Sequence, residues 1–273
     1  MYLQGSLFES PIIGAKRPRG QLLKWIGNKQ RMAEEIVSHF PVEFETYHEP
    51  FVGSGAVLAT LAPKRAFASD SFLPLIEIWT TLREKSAVVK EWYTKRWNRV
   101  MDGEKVERYE EIKAAYNRCP NGADLLFLCR AAYGGVVRFR KADGYMSTPC
   151  GAHRPISPES FGKRVDEWSQ RVGGTTFRRM EFSRAMEEAC PGDVVYCDPP
   201  YSHSQAILYG AQSFRLEQLI KAIERCKRRG VFVALSIDGK KRSGATVCDL
   251  AIPDGLFERE VFIRVGRSML RRF

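Results

Sequence analysis

Long apolar runs are missing from this 273-residue sequence. A membrane-spanning helix needs roughly 20 consecutive apolar residues, and stretches such as Val231–Leu235 are far shorter. The amino-terminal residues lack the charged start, apolar stretch and small-residue cleavage site of a secretory signal, so the chain is expected to act in the cytoplasm and to have no membrane partner. Cysteine is present but unpatterned. There are seven, an odd number with no CxxC spacing, which points to free thiols in a reducing compartment rather than to a zinc site or a disulfide framework. His39, His48, His153 and His203 show no metal-ligand spacing, and Ser204 and Asp238 have no histidine partner in a hydrolase motif. No metal is expected, and hydrolysis is disfavoured. The three-glycine dinucleotide fingerprint is also absent, which counts against a nicotinamide cofactor.

Acidic charge is the other shortage. Lys plus Arg number 43 against 32 for Asp plus Glu, a formal net charge of +11. From Arg83 to Arg179 there are 20 basic and 12 acidic residues. A basic surface is the footprint of a polyanionic partner, because neutralised phosphates release condensed counterions. A hydrophobic fraction of 44% with 27% charged residues describes a globular protein. No internal repeat is visible.

Two stretches carry an α/β rhythm. Residues 21–72 read as a helix from Lys29 to Phe40, a strand ending at Glu49, the turn Pro50-Phe51-Val52-Gly53-Ser54-Gly55, a helix from Ala56 to Leu61, and a strand from Ala66 to Asp70. Strand, glycine turn, helix, strand and acid form the opening half of a nucleotide-binding unit. Glycines let backbone approach a ligand, and Asp70 stands where a carboxylate can accept hydrogen bonds from ribose hydroxyls. Residues 175–273 resume the rhythm, with strands at Asp193–Cys197 and Val231–Ile237, a helix at Leu216–Arg229, and an outer strand at Phe257–Val265. Between these stretches lies a helical, basic insert over 73–174. It contains a hairpin over 133–151 turning at Asp143-Gly144, and then a helix from Pro158 to Arg171. Residues 1–20 show no periodicity and read as a flexible basic lead-in.

The most specific feature is Asp198-Pro199-Pro200-Tyr201. Two prolines cannot continue a sheet ladder, so the chain leaves its strand in a stiff extended loop at the sheet's carboxyl edge. Such a loop displays an acid, a fixed carbonyl and an aromatic ring together. Methylation of an exocyclic amine asks for that array. The lone pair of adenine N6 is delocalised into the ring, and hydrogen bonds from N6 to the Asp198 carboxylate and the Pro199 carbonyl localise it toward a methyl donor. The ring of Tyr201 would stack on the flipped base.

Leu23-Lys24-Trp25-Ile26-Gly27-Asn28-Lys29, Glu49-Pro50-Phe51-Val52-Gly53-Ser54-Gly55, Asp70 and Asp198-Pro199-Pro200-Tyr201, in that order, resemble the motifs of the Dam-type (D12 class, alpha-group) adenine-N6 DNA methyltransferases. The resemblance covers the chain from about Gln21 onward. It implies a Rossmann-like α/β sheet with helices on both faces, divided between residues 21–72 and 175–273, with a target-recognition lobe over 73–174. It implies S-adenosyl-L-methionine as cofactor, bound by Trp25, Lys29, Phe51, Gly53, Gly55, Asp70 and Asp198, and catalysis by Asp198, Pro199 and Tyr201. Double-stranded DNA is the implied partner, contacted by Arg138, Arg140 and Lys141 of the hairpin, with Arg138 at a base-reading or phosphate-contacting position. The setting is restriction–modification or host and phage modification, with a cognate restriction endonuclease as candidate partner and a monomer or weak dimer as assembly. Two departures stand out. Gly134-Gly135-Val136-Val137 replaces the aromatic and Asn residues that precede the arginine in Dam enzymes, so their target sequence does not transfer. The family also continues past the position of Phe273 with one more apolar strand, so an unpaired sheet edge is expected here. An RNA exocyclic-amine methyltransferase and a catalytically impaired DNA-binding homologue are the alternatives.

Overall fold

The computed structural model of the chain describes residues 1–3, 14–140, 142–200, 214–237 and 252–263. Among the described residues there are seven strands: β1 (Tyr2–Leu3), β2 (Tyr47–Glu49), β3 (Ala66–Asp70), β4 (Thr175–Arg179), β5 (Val194–Cys197), β6 (Phe232–Leu235) and β7 (Arg259–Glu260). They form one sheet in the order β4-β3-β2-β5-β6-β1-β7. The five strands from β2 to β6 are mutually parallel, with Asp70 opposite Arg179, Tyr47 opposite Val194 and Cys197 opposite Leu235. This is the Rossmann-like sheet the sequence predicts. Both faces are covered, because alternate residues of β5 enter different cores. Val194 and Tyr196 join one apolar cluster, and Val195 and Cys197 join another formed with α8 (Phe182–Glu187) and α9 (Leu216–Arg228). Buried parallel strands read as continuous apolar runs for this reason.

The first face carries α1 (Ala33–Val37), α2 (Ala56–Leu61) and the helices inserted between β3 and β4: α3 (Leu73–Glu84), α4 (Ser86–Met101), α5 (Lys105–Arg118), α6 (Gly122–Ala131) and α7 (Pro158–Arg171). These inserted helices close no separate core. Trp79 of α3 stacks on Phe177 of β4 with ring centroids 5.8 Å apart and tilts against Trp168 of α7 at 5.7 Å. One continuous cluster runs from the sheet to Phe127 and Tyr116. Each large side chain fully buried in it contributes roughly 1.5–3 kcal/mol. Local signals set the helix ends, as where Ser157 caps α7 by accepting from the Ser160 N–H at 3.2 Å just before Pro158.

One expectation needs correction. Residues 1–20 are not a patternless lead-in throughout, because Tyr2–Leu3 is a sheet strand, antiparallel to both β6 and β7. That strand also lies between β6 and β7 in the sheet. The edge of β6 is paired with the amino terminus, Tyr2 opposite Leu235 and Leu3 opposite Ala234. Residues 14–20 are likewise pinned, with the Arg17 N–H on Glu34 at 3.0 Å and the Trp168 indole N–H donating to the Gly20 carbonyl at 2.8 Å. The expected outer strand at Phe257–Val265 is present but reduced to Arg259–Glu260 among the described residues. The helix expected over Lys29–Phe40 is likewise regular only from Ala33 to Val37. Among the described residues no helix is long and apolar enough to cross a membrane.

Candidate active site

Parallel strands deliver their last residues to one edge, and the loops that follow frame a crevice there. Glu49 ends β2, Asp70 ends β3 and Cys197 ends β5, so Asp198 is the first residue beyond its strand. A cleft of about 1090 Å³, its solvent-open mouth included, lies at this edge. Trp25, Lys29, Phe51, Gly53, Asp70 and Asp198 all line it. Six residues far apart in the sequence, from Trp25 to Asp198, thus converge on one cleft.

Asp198 is held by Lys29, whose Nζ donates to Oδ1 at 2.6 Å and Oδ2 at 2.8 Å and also to the Gly27 carbonyl at 3.2 Å. Their side chains are 11% and 17% exposed, so the pair is shielded yet reachable from the cleft. Short charge-assisted bonds are the strong kind, and this one orients the Asp198 carboxylate.

Asp70 is anchored by backbone. The Phe72 N–H donates to Oδ1 at 3.0 Å and the Gly53 N–H to Oδ2 at 3.3 Å. Burial pushes its carboxyl up to about 6, with the N–H groups of Phe72, Gly53 and Ser71 opposing the rise. The glycine turn is tied down in turn by the Trp79 indole, which donates to the Gly53 carbonyl at 3.0 Å. Gly53 and Gly55 both adopt left-handed conformations, with φ of 44° and 60°. A Cβ on Gly55 would stand 2.9 Å from the ring of Trp79, which is wedged between Phe177 and Trp168 and cannot retreat. Gly55→Ala is therefore expected to destabilise the fold by about 2–4 kcal/mol, the sum of left-handed strain and overpacking. A denaturant midpoint unchanged from the parent would contradict this account. Gly55 itself supports the cleft wall rather than lining it.

Several cleft residues were not singled out from the sequence: Glu49, Phe72, Glu181, Phe182, Tyr196 and Phe214. Phe51, Phe182 and Phe214 form a triangle, with ring centroids 5.0, 5.9 and 5.8 Å apart and the Phe51–Phe182 pair stacked. Glu49 is fully buried and accepts from the Tyr47 hydroxyl at 2.7 Å. Burial pushes its carboxyl up to about 8; the Tyr47 hydroxyl opposes the rise and the charge of Asp198 adds to it.

Pro199 is buried beside the cleft and Pro200 lines it, while Tyr201 lies outside the described residues, as do His203, Ser204 and Asp238. The hairpin forms as predicted from Asp143-Gly144. Arg140 donates its N–H to the Tyr145 carbonyl at 2.9 Å, Ser147 to Arg138 at 3.0 Å, and Phe139 bridges Met146. Arg138 is exposed on it. Arg140 is exposed too, but its guanidinium is clipped to Asp143 at 2.5 and 3.1 Å and lies 4.3 Å over the Tyr145 ring. Lys141 lies outside the described residues. Cleft and hairpin stand apart in sequence but share a boundary at Phe72 and Phe139, whose rings meet edge to face at 5.5 Å.

Relatives share this chain across most of its length. It is 28% identical over 228 residues to a DNA adenine methylase of Vibrio cholerae, covering 78% of this chain and 79% of that one. It is 26% identical over 235 residues to the Type II methyltransferase M1.LlaDCHI of Lactococcus lactis subsp. cremoris, with the same coverage of 78% and 79%. To the DNA N-6-adenine-methyltransferase of Escherichia phage P1 it is 27% identical over 231 residues, covering 80% of this chain and 30% of the phage protein. The family model for D12 class N6 adenine-specific DNA methyltransferases matches residues 25–245. That span opens at Trp25 in the cleft and runs through the glycine turn, the hairpin and the Asp198 loop, and the chain belongs to this family.

Proposed function

We propose that the chain transfers a methyl group from S-adenosyl-L-methionine to N6 of an adenine flipped out of double-stranded DNA, acting in the cytoplasm as a monomer or weak dimer. The observation that carries this reading is Asp198, bonded through both oxygens by Lys29 just beyond β5, in the same cleft as Asp70 and the glycine turn. The cleft suits the cofactor chemically. Asp70 keeps acceptor capacity beyond its bonds from the Phe72 and Gly53 N–H groups for ribose hydroxyls, Gly53 exposes backbone, and Phe51, Phe182 and Phe214 offer an apolar wall to a purine. Glu49 and Asp70 are buried carboxyls bonded to neutral donors, an environment that favours a cationic ligand. S-Adenosylmethionine supplies an electrophilic methyl group on a sulfonium.

The chain's own residues do the rest. Asp198 and the Pro199 carbonyl accept the N6 hydrogens, which concentrates the amine lone pair, and Asp198 is placed to take the proton released on methylation. Lys29 orients that carboxylate. Tyr201 stacks on the extruded base, whose unpairing costs a few kcal/mol. Trp25 closes the cleft over Gly53, where a Cβ would stand 3.5 Å from its indole. Arg138 reads a base from the hairpin, while Arg140 and Lys141 contact phosphate. The Lactococcus relative's name suits a restriction–modification setting with a partner endonuclease.

Incubating the protein with methyl-labelled S-adenosylmethionine and either duplex DNA or ribosomal RNA tests this, with N6-methyladenine in the DNA digest as the expected product. Labelling of RNA alone, or DNA binding without transfer, would replace this reading. Methylation-sensitive sequencing of DNA from cells expressing the chain then gives the site. With that site in hand, Arg138→Ala is expected to weaken specific binding by roughly 1–3 kcal/mol and to leave non-specific binding nearly unchanged. Arg140→Ala should cost less, because Asp143 already holds its guanidinium. Equal losses on both DNAs would assign Arg138 to phosphate.

A further inference from the structure

The hairpin and the cleft are joined by rings. Trp25 and Phe72 both line the cleft, with centroids 6.1 Å apart. Phe72 also fixes Asp70 through its backbone N–H. On its far side the ring of Phe72 receives Phe139 edge to face at 5.5 Å and 72°. Phe139 is 7% exposed and sits between two exposed arginines, Arg138 and Arg140. It is not a cleft residue. The opposite arm of the hairpin is secured elsewhere: Asn117 of α5 brackets Met146 with bonds of 2.7 and 3.1 Å, and the Tyr109 hydroxyl donates to the Thr148 carbonyl at 3.0 Å. The opposite arm of the hairpin is thus clamped to α5, while Phe139, on the arm bearing Arg138, packs between Tyr116 of α5 at 6.5 Å and the cleft residue Phe72 at 5.5 Å.

We infer that Phe139 is a positioning residue that couples cofactor occupancy to DNA recognition, through Phe72 and Trp25. The inference rests on the methyltransferase reading above. A ligand in the cleft covers Trp25 and Phe72 and removes rotamer freedom from both. The surface on which Phe139 packs is then fixed, and with it the backbone that presents Arg138. Aromatic pairs of this geometry are worth more than their area alone. Linkage makes the effect reciprocal, so specific DNA must raise cofactor affinity by the same factor by which cofactor raises specific DNA affinity. Phe139 touches neither ligand, so its removal should change the coupling and leave the separate affinities alone.

The test uses the full chain and S-adenosylhomocysteine, which cannot donate a methyl group, with a duplex carrying the site mapped by sequencing and a scrambled duplex. The dissociation constant of S-adenosylhomocysteine is measured by titration calorimetry with no DNA, with scrambled DNA and with site DNA. In the parent, site DNA is expected to tighten S-adenosylhomocysteine at least about fivefold, the lower end of usual coupling. In Phe139→Leu the coupling should fall below about twofold, while the constant without DNA stays within about twofold of the parent. Phe139→Met, whose unbranched side chain can refill the site, guards against simple misfolding and should show the same loss, with both variants checked by thermal unfolding. Failure of the parent to bind S-adenosylhomocysteine at all would defeat the methyltransferase reading itself. A parent that binds it with no coupling, or variants that keep the parent's coupling, would overturn this inference alone. A variant that loses both the binary affinity and the coupling would make Phe139 merely structural and overturn it too.

Discussion

Asp198→Ala should lower methyl transfer about 10³-fold while leaving affinity for duplex DNA within about twofold. The size follows from what the carboxylate does in the cleft, where a single preorganised charged partner at a reacting group is worth roughly 10²–10³ in rate. The direction follows from geometry. Asp198 is the first residue past β5, and both its oxygens are bonded by Lys29, so no other described carboxylate is presented in the same way at that edge. DNA affinity should survive, because the residues proposed to carry it stand on the hairpin and not in the Asp198 loop. Truncation also strands the Lys29 ammonium, whose side chain is 11% exposed, and breaking such a pair from one side costs stability. Asp198→Asn separates the two effects. It keeps a hydrogen-bonding side chain beside Lys29 but removes the charge, so it should lose most of the rate with a smaller fall in melting temperature. Single-turnover labelling with saturating cofactor measures the rate, and a fluorescence anisotropy titration measures DNA binding. Asp198→Ala with more than a tenth of the parent's rate would remove the carboxylate from the chemistry.

How much of this was legible from residues alone depends on how locally each feature is encoded. The β2–turn–α2–β3 unit is written in consecutive residues: an apolar run, two glycines at positive φ, a helix stopped before Pro63, and Asp70. Asp198-Pro199-Pro200 announces itself because prolines forbid the alternatives. The hairpin is equally local, since Asp143-Gly144 closes it with a few bonds between near neighbours. Features made by distant pairing were not legible. Two residues such as Tyr2–Leu3 have no period to detect, and their strand character comes wholly from the edge of β6. Glu181 and Phe182 carry no motif, yet a topological signal could have found them. Once β3 is read as ending on Asp70, the next parallel strand must end beside it, and Asp70 does pair with Arg179 of β4. The residues just past Arg179 then face the same crevice. Glu49 was in view as part of the turn, but its burial and its hydroxyl partner Tyr47 appear only when α2 packs over β2. Arg140 is a different case. Its charge invites a phosphate, and only the fold reveals that Asp143 has already engaged it.

Cofactor binding should strengthen as pH rises from 5 to 9, in two steps set by the cleft's buried carboxyls. Burial lifts Asp70 from 3.8 to about 6 and Glu49 from 4.5 to about 8. A folded-state value above the unfolded one means that the folded chain favours the protonated form. The associated stability is fully present below the unfolded values and is lost as pH rises through the folded ones. In the free protein, ionising these groups is therefore a cost. A cationic ligand reverses it, because a positive charge in the cleft favours the ionised form of both carboxyls and draws their protons off on binding. Below pH 6, where Asp70 is protonated, it can no longer serve as a charged acceptor for ribose hydroxyls, and affinity should fall about tenfold per pH unit if binding requires that ionisation. Between pH 7 and 9 the ionisation of Glu49 should add a smaller gain, since it is already bonded to the Tyr47 hydroxyl. Variants assign the steps. Asp70→Asn should bind S-adenosylmethionine about 100-fold more weakly at pH 8, the loss of charge-assisted bonds to two hydroxyls, and should flatten the lower step. Glu49→Gln should flatten only the upper one. Calorimetry in buffers of different ionisation enthalpy reads the protons released directly, with release largest near the folded-state values of the two groups. An affinity flat across pH 5 to 9, with no proton release, would mean that neither carboxyl meets the cofactor's charge.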